Sequence, residues 1–188
     1  MIDLKKVLIP GNHNTLNILA AINVALLLKI PTKKISARLY TFKGVEHRIE
    51  YVANLNNVKY YNDSKATNID SVIAAINSFE SPITLILGGL DKGADFKILR
   101  KILKNKKISI VAYGSAAERI SKTLRDAANL YLTDKLKEAI EISYKVTHPG
   151  EIVLLSPGCA SYDQFLNFEE RGMLSLIHIS EPTRRIHI

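Results

Sequence analysis

A lysine, a carboxylate and two hydroxyl side chains follow an apolar run in the stretch NDSKATN, residues 62–68. Asp63 can accept hydrogen bonds from ribose hydroxyls or pair with Lys65. Thr67 comes just before a helix-like segment, and the free N–H groups at a helix start favour a carboxylate or a phosphate. The alternative interpretation is an ordinary helix N-cap beside a surface ion pair.

Two other loops have a similar character. LGGLDKGADF (87–96) places Lys92 among glycines that allow the backbone to approach an anion closely, although the local pattern slightly favours a plain glycine-rich turn. SPGCASYDQF (156–165) contains Ser161, which we expect at the N-cap of the last helix, with Gln164 completing a capping box. The Ser161 hydroxyl could instead bind a ligand, because it both donates and accepts.

Other candidate chemistry is sparse. Asn14 and Asn17 lie three residues apart on a predicted helix, so their amides share a face and could read an adenine edge, while capping by Asn14 is the alternative. The histidines are isolated, so we expect no metal site in this chain. Cys159 has no nearby histidine to activate it, and the phosphate-binding pattern G-x-x-x-x-G-K-[ST] does not occur.

Composition limits the function classes. The 188 residues carry a net charge of +8, but the lysines are scattered and aromatic residues make up only 7%, which argues against nucleic-acid binding. No apolar run reaches membrane-spanning length. A single cysteine suits a reducing compartment, so we expect a cytoplasmic protein.

The predicted elements bring the three loops together. From Val58 onward, five apolar strand segments alternate with helical segments, which predicts an α/β fold with a mostly parallel, doubly wound sheet. Ligands bind beyond the carboxyl ends of the strands in such sheets, where all three loops should lie. A hairpin with its turn at Asn54–Asn57 should precede the parallel part. The region before residue 44 is predicted to form a helix, a polar turn and a short amphipathic segment, with no sheet.

Five motifs in this order closely resemble the Mur ligase family, from about Pro10 to Met173: GNHNTLNILAA, GVEHR, NDSKATN, LILGGLDKGADF and LLSPGCASYDQFLNFEERG. The resemblance implies three domains, of which this chain would hold two parts. Residues 1–43 would be the end of the central ATPase domain, including its last helix. Residues 44–173 would be the Rossmann-like C-terminal domain, which binds the amino acid.

The resemblance is strongest to the branch that adds D-glutamate. That branch implies ATP-dependent activation of UDP-N-acetylmuramoyl-L-alanine as an acyl phosphate, followed by attack of the D-glutamate amine. ATP and Mg²⁺ would be cofactors, with the magnesium ligands in a missing upstream domain. The full-length enzyme would be monomeric, and this fragment alone inactive. The alternatives are a sister Mur or folylpolyglutamate-type ligase, or a non-catalytic module that binds a nucleotide or an amino acid.

The resemblance also assigns roles to particular residues. Asn14 and Asn17 would contact adenine, and Arg48 and Asp63 would hold the nucleotide, with Asp63 on the ribose. The D-glutamate site would be lined by Lys65, Thr67, Lys92, Ser161 and Phe168. Of these, the lysines Lys65 and Lys92 are the candidate catalytic residues.

The last fifteen residues, 174–188, do not continue the preceding pattern. LSLIHISEPTR is very similar to the translation of an adapter used in sequencing libraries. We therefore expect a non-native tail from Leu174 onward.

Overall fold

A six-stranded sheet forms the centre of the protein. The computed structural model describes residues 2–9 and 11–180. The strands are β1 (Glu50–Leu55), β2 (Val58–Asn62), β3 (Ile83–Gly88), β4 (Ile108–Tyr113), β5 (Asn129–Thr133) and β6 (Ile152–Gly158). Their order is β1-β2-β6-β3-β4-β5; β1 and β2 pair antiparallel, and all other neighbours are parallel. The predicted fold class is confirmed.

Seven α-helices accompany the sheet in the part of the chain that the structure describes. Two precede it: α1 (Asn12–Leu27) and α2 (Thr32–Thr41). The others are α3 (Ile69–Ile76), α4 (Leu99–Leu103), α5 (Ala117–Leu124), α6 (Leu136–Val146) and α7 (Phe168–Ser180). Among the described residues, no helix is long and apolar enough to cross a lipid bilayer.

The central strands are buried on both faces, which explains their continuous apolar sequences. In β3, Leu85 and Leu87 pack into one core with residues of α3, α4 and α5. Ile86 points the other way, into a second core with Leu136 of α6 and Ile179 of α7. Alternate side chains of one strand therefore fill two separate cores.

The β1–β2 hairpin turns at Asn56 and Asn57, which have φ angles of +51° and +62°. Leu55 pairs with Val58, so these two asparagines form a two-residue loop. Two consecutive positive φ angles are typical of a type I′ turn, which asparagine tolerates well. The turn lies within the predicted range 54–57.

The last helix begins later than expected. The chain forms a turn at Ser161, whose carbonyl accepts hydrogen bonds from the N–H groups of Gln164 and Phe165. α7 begins at Phe168. Asn167 accepts from the N–H of Glu170 at 2.7 Å, and Glu170 accepts from the N–H of Leu166 at 2.8 Å. The prediction of a helix from Ser161 was wrong, because Asn167 caps the first turn of the helix and Glu170 binds the N–H of the residue before that cap.

The first part of the predicted tail continues α7 as far as Ser180. Ile179 is buried, and the Tyr144 hydroxyl donates to the carbonyls of His178 and Ile179. Residues 181–188 lie outside the described residues. The non-native origin of the tail stays a prediction.

Gly88→Ala should lower the free energy of unfolding by about 3 kcal/mol, because it combines a clash with backbone strain. Gly88 has a φ of +140°, and an added Cβ would lie 2.0 Å from the Tyr113 carbonyl oxygen. Urea unfolding measures the loss. The matched control is Gly150→Ala, since Gly150 has a φ of +90° and open space around it. Equal losses in both variants would contradict this account.

Candidate functional site

Backbone hydrogen bonds join the three polar loops at the carboxyl ends of β2, β3 and β6. The N–H of Gly158 donates to the carbonyl of Ala66 at 2.8 Å. Leu90 and Ala160 exchange two N–H···O bonds, at 2.9 and 3.2 Å. The loops that carry Thr67 and Lys92 are therefore each bonded to the loop that carries Ser161. We call the edge formed by residues 63–67, 89–96 and 158–165 the rim.

A buried arginine holds the underside of the rim. Arg171, on α7, is 0% exposed. Its Nε donates to Ser64 Oγ at 2.9 Å, one Nη donates to the Ser64 carbonyl at 2.7 Å, and the other donates to the Cys159 carbonyl at 3.0 Å. The Ser64 hydroxyl in turn donates to the carbonyl of Phe168. One guanidinium thus fixes the loops after β2 and β6 to the last helix.

Lys65 and Thr67 lie exposed on the rim. The Lys65 ammonium is 5.3 Å from the centre of the Phe168 ring, within range of a cation–π interaction. The edge of the His47 ring also faces Phe168, with the ring centres 6.2 Å apart. The His47 carbonyl accepts from the N–H of Lys65, so this lysine is anchored from both backbone and side chain.

Lys92 and Ser161 lie on the other two loops. Lys92 is exposed, and its ammonium is 5.1 Å from the centre of the Tyr162 ring. Ser161 is only 2% exposed. Both lysines therefore approach aromatic rings carried by the chain that follows β6. Their chemical roles stay predictions.

A cavity of about 300 Å³ opens beside the rim. Its lining includes Arg48 and Asp63, which were predicted to hold a nucleotide together. The remaining lining residues are Ile49, Asn68, Asp70, Ser71 and Ala74. Asn68 caps α3 by accepting from the Ser71 N–H at 2.8 Å, as the capping alternative predicted. The cavity suits one sugar-sized group with hydroxyls.

Asp63 does not pair with Lys65. One oxygen accepts from the Ile49 N–H at 3.2 Å, and the other accepts from the Ser156 hydroxyl at 2.8 Å. Burial raises the pKa of Asp63 to about 6, against the opposing effects of these two hydrogen bonds and of the Arg48 charge. Each carboxyl oxygen keeps capacity for one further bond to a ligand.

Asn14 and Asn17 lie on α1, which is not one of the elements that carry the rim loops. The Nδ2 of Asn17 donates to Oδ1 of Asn14 at 3.3 Å, so the two amides do share a helix face.

The rim carries both charges, since Lys65 and Lys92 lie among the carboxylates of Asp63, Asp91, Asp95 and Asp163. Two mobile ammonium groups and a hydroxyl are suited to carboxylates. Burial raises the pKa of the Cys159 thiol to about 12, so this cysteine is a poor nucleophile. Within residues 2–9 and 11–180, no three His, Cys, Asp or Glu side chains cluster as metal ligands would.

Sequence reasoning missed Arg171 and Arg119. Arg171 lies three residues after Phe168 and four before the buried Ser175, so its position on the inward face of α7 could have been read from helical spacing. Arg119 contacts the Lys92 loop from α5, a contact between distant segments that local patterns do not encode.

Comparison with known proteins identifies the family to which this fold belongs. The family described as "Mur ligase, glutamate ligase domain" matches residues 47–159. The chain belongs to the Mur ligase family.

Curated relatives within the family have the name UDP-N-acetylmuramoylalanine–D-glutamate ligase. The protein from Caldanaerobacter subterraneus subsp. tengcongensis is 46% identical over 176 residues, covering 92% of this chain and 39% of the relative. The Clostridioides difficile protein is 46% identical over 166 residues, covering 87% of this chain and 37% of the relative. The chain thus spans about two fifths of the length of these Mur ligases.

Solved Mur ligase structures share the fold. The UDP-N-acetylmuramate–alanine ligase of Thermotoga maritima superposes with a TM-score of 0.66 at 20% identity, covering 94% of this chain and 39% of the other. The MurF ligase of the same organism, solved with ADP, gives 0.61 at 16% identity, covering 92% and 40%.

Arg171→Met should lower the free energy of unfolding by about 3–5 kcal/mol, because it leaves two buried carbonyls and a hydroxyl without their donor. Urea unfolding measures the loss. Arg125→Met is the matched control, since Arg125 is exposed at the end of α5. A loss as small as that of the control would contradict the holding role of Arg171.

Asp63 should make the protein less stable as the pH rises. Its folded pKa of about 6 exceeds the ordinary 3.8, so the folded state binds the proton more tightly. The stabilising contribution is complete below pH 4 and is lost as the pH rises through 6. Asp63→Asn cannot titrate, and the difference in unfolding free energy between wild type and variant should change by about 2–3 kcal/mol between pH 4 and pH 7. A difference independent of pH would contradict the raised pKa.

Proposed function

We propose that this chain is the amino-acid-binding part of an ATP-dependent ligase that joins D-glutamate to UDP-N-acetylmuramoyl-L-alanine. The observation that carries the proposal is the rim, where the loops that carry Lys65 and Lys92 are each bonded to the loop that carries Ser161. The names of relatives that are 46% identical support the choice of substrates.

The rim suits a small amino acid with two carboxylates. Lys65 and Lys92 each present an ammonium group next to an aromatic ring, at 5.3 and 5.1 Å from the ring centres. Each ammonium can form charge-assisted hydrogen bonds with one carboxylate. Thr67 and Ser161 add hydroxyls, and Phe168 limits where the Lys65 side chain can go. Together these groups orient the amine for attack and neutralise charge.

The cavity beside the rim suits the ribose of ATP. When bound, ATP supplies the phosphoryl group that activates the acceptor carboxylate. Asp63 would accept from ribose hydroxyls, because each of its oxygens has one lone pair beyond the bonds to Ile49 and Ser156. Arg48 lies exposed in the same cavity lining, where its charge attracts an anionic nucleotide. Asn14 and Asn17 would contact the adenine from α1.

The proposed requirement for magnesium rests only on membership of the Mur ligase family. The described residues supply no cluster of carboxylates or histidines for it, so no step of this site is derived from the metal. Since the chain spans about two fifths of its relatives, we propose that amide-bond formation needs the rest of the ligase.

Lys92→Ala in the full-length protein should weaken D-glutamate binding by about 1.5–3 kcal/mol, the usual worth of a charged hydrogen bond. Steady-state kinetics with varied D-glutamate measures the change in KM and kcat. Lys97→Ala is the matched control, because Lys97 is exposed five residues further along and outside the rim.

An unchanged D-glutamate KM and kcat in Lys92→Ala would refute the assigned role. A panel of amino acids in the same assay separates this function from that of sister ligases, which would prefer another amino acid. If the enzyme turned over other amino acids faster than D-glutamate, the substrate assignment would be overturned.

A further inference from the structure

We propose that Arg119 is a positioning residue that holds the loop bearing Lys92 in the orientation needed to bind the amino-acid carboxylate. This inference rests on the proposed function, in which Lys92 contacts that carboxylate. Arg119 belongs to α5, a helix that supplies no other group to the rim.

The Arg119 guanidinium contacts three residues of the loop that bears Lys92. One Nη of Arg119 donates to the Asp91 carboxylate, and the other donates to the Ala94 carbonyl. The guanidinium carbon lies 5.4 Å from the centre of the Phe96 ring, which is 1% exposed. Arg119 therefore touches residues on both sides of Lys92. A flexible, compact lysine ammonium could not reproduce this planar set of contacts.

Asp91 extends the contact into the loop backbone. Its Oδ1 accepts from the N–H of Gly93 at 2.8 Å and from the N–H of Ala94 at 3.1 Å, while its other oxygen accepts from Arg119. Burial raises the pKa of Asp91, but the hydrogen bonds from Gly93, Arg119 and Ala94 outweigh burial and lower the pKa overall. The carboxylate is thus charged at neutral pH and closes a tight turn around Lys92.

The base of the loop is fixed independently. Leu90 is bonded to Ala160, and the carbonyl of Gly89 accepts from the Ser115 hydroxyl at 3.0 Å and from the Ala116 N–H at 3.1 Å. Arg119 fixes the other end through Ala94 and Phe96. Both ends of the loop are therefore held, and the exposed Lys92 side chain lies with its ammonium 5.1 Å from the centre of the Tyr162 ring.

Preorganisation of this kind strengthens binding by reducing the ordering cost at the moment of binding. The Arg119 side chain is 47% exposed and that of Asp91 is 18% exposed, so the ion pair is partly screened and its effect moderate. We expect Arg119→Gln to raise the D-glutamate KM roughly three- to tenfold, with little change in the ATP KM.

The test uses the full-length protein with Arg119→Gln, Arg119→Lys, Asp91→Asn, Lys92→Ala and the double variant Arg119→Gln/Lys92→Ala. The matched control is Lys122→Gln, which removes a positive charge from the same helix. Lys122 pairs with Glu118 at 3.4 Å, and both side chains are well exposed. Two measurements are made: KM for D-glutamate and ATP, and amide hydrogen exchange at Gly93 and Ala94.

Arg119→Gln should speed exchange at Gly93 and Ala94 and raise the D-glutamate KM, whereas Lys122→Gln should change neither. Asp91→Asn should have the same direction of effect, and Arg119→Lys should fall between wild type and Arg119→Gln. In the Lys92→Ala background, Arg119→Gln should raise the KM no further, because a positioning residue acts only through the group that it positions.

Four results would overturn the inference. Unchanged exchange in Arg119→Gln would mean that the loop does not depend on this contact. An equal KM effect with and without Lys92 would mean a general structural role. If Lys92→Ala raises the D-glutamate KM but Arg119→Gln does not, only the positioning inference fails. If Lys92→Ala leaves KM unchanged, the proposed function fails first, and the inference falls with it.

Discussion

The rim depends on a positive charge that is buried among carbonyl groups. Arg171 reaches from α7 under the loops after β2 and β6, and its three hydrogen bonds end on Ser64 and Cys159. Burying a guanidinium is unfavourable unless its donors find acceptors, and here each partner belongs to a segment that carries a rim residue. The same guanidinium thus holds the loop that carries Lys65 to the loop that carries Ser161.

The two halves of the site meet at the start of the sheet. The Ile49 N–H binds Asp63, while the carbonyl of His47 accepts from Lys65, so the segment before β1 contacts both the sugar-sized cavity and the anion rim. His47 and Ile49 have φ angles of +61° and +45°. Positive φ in such residues is strained and persists where surrounding contacts hold it, here those with Asp63, Lys65 and Glu50. Movement of this segment would alter both subsites together.

Much of the fold could be predicted because buried positions recur in a regular pattern of apolar residues along the sequence. Continuous apolar runs such as Ile83–Gly88 predicted strands covered on both faces, and the asparagines before Val58 predicted the hairpin turn. The start of α7 could not be predicted in this way. Ser161 and Gln164 fit the capping pattern as well as Asn167 and Glu170 do. The tertiary contacts of Gln164 decide between the two pairs, because its amide binds the Asp134 carbonyl and the Leu136 N–H instead of capping a helix.

By itself, the sequence determined the order of strands and helices along the chain, the placement of Lys65, Lys92 and Ser161 at strand ends, and the motifs of the Mur ligase family. These features are local, because turn chemistry and the alternation of apolar residues depend on near neighbours. Only the tertiary structure decided that Asp63 would be buried against Ser156 rather than paired with Lys65, and that Arg171 and Arg119 would hold the loops. Such contacts join residues far apart in the chain, and their energies depend on a burial that exists only once the sheet has formed.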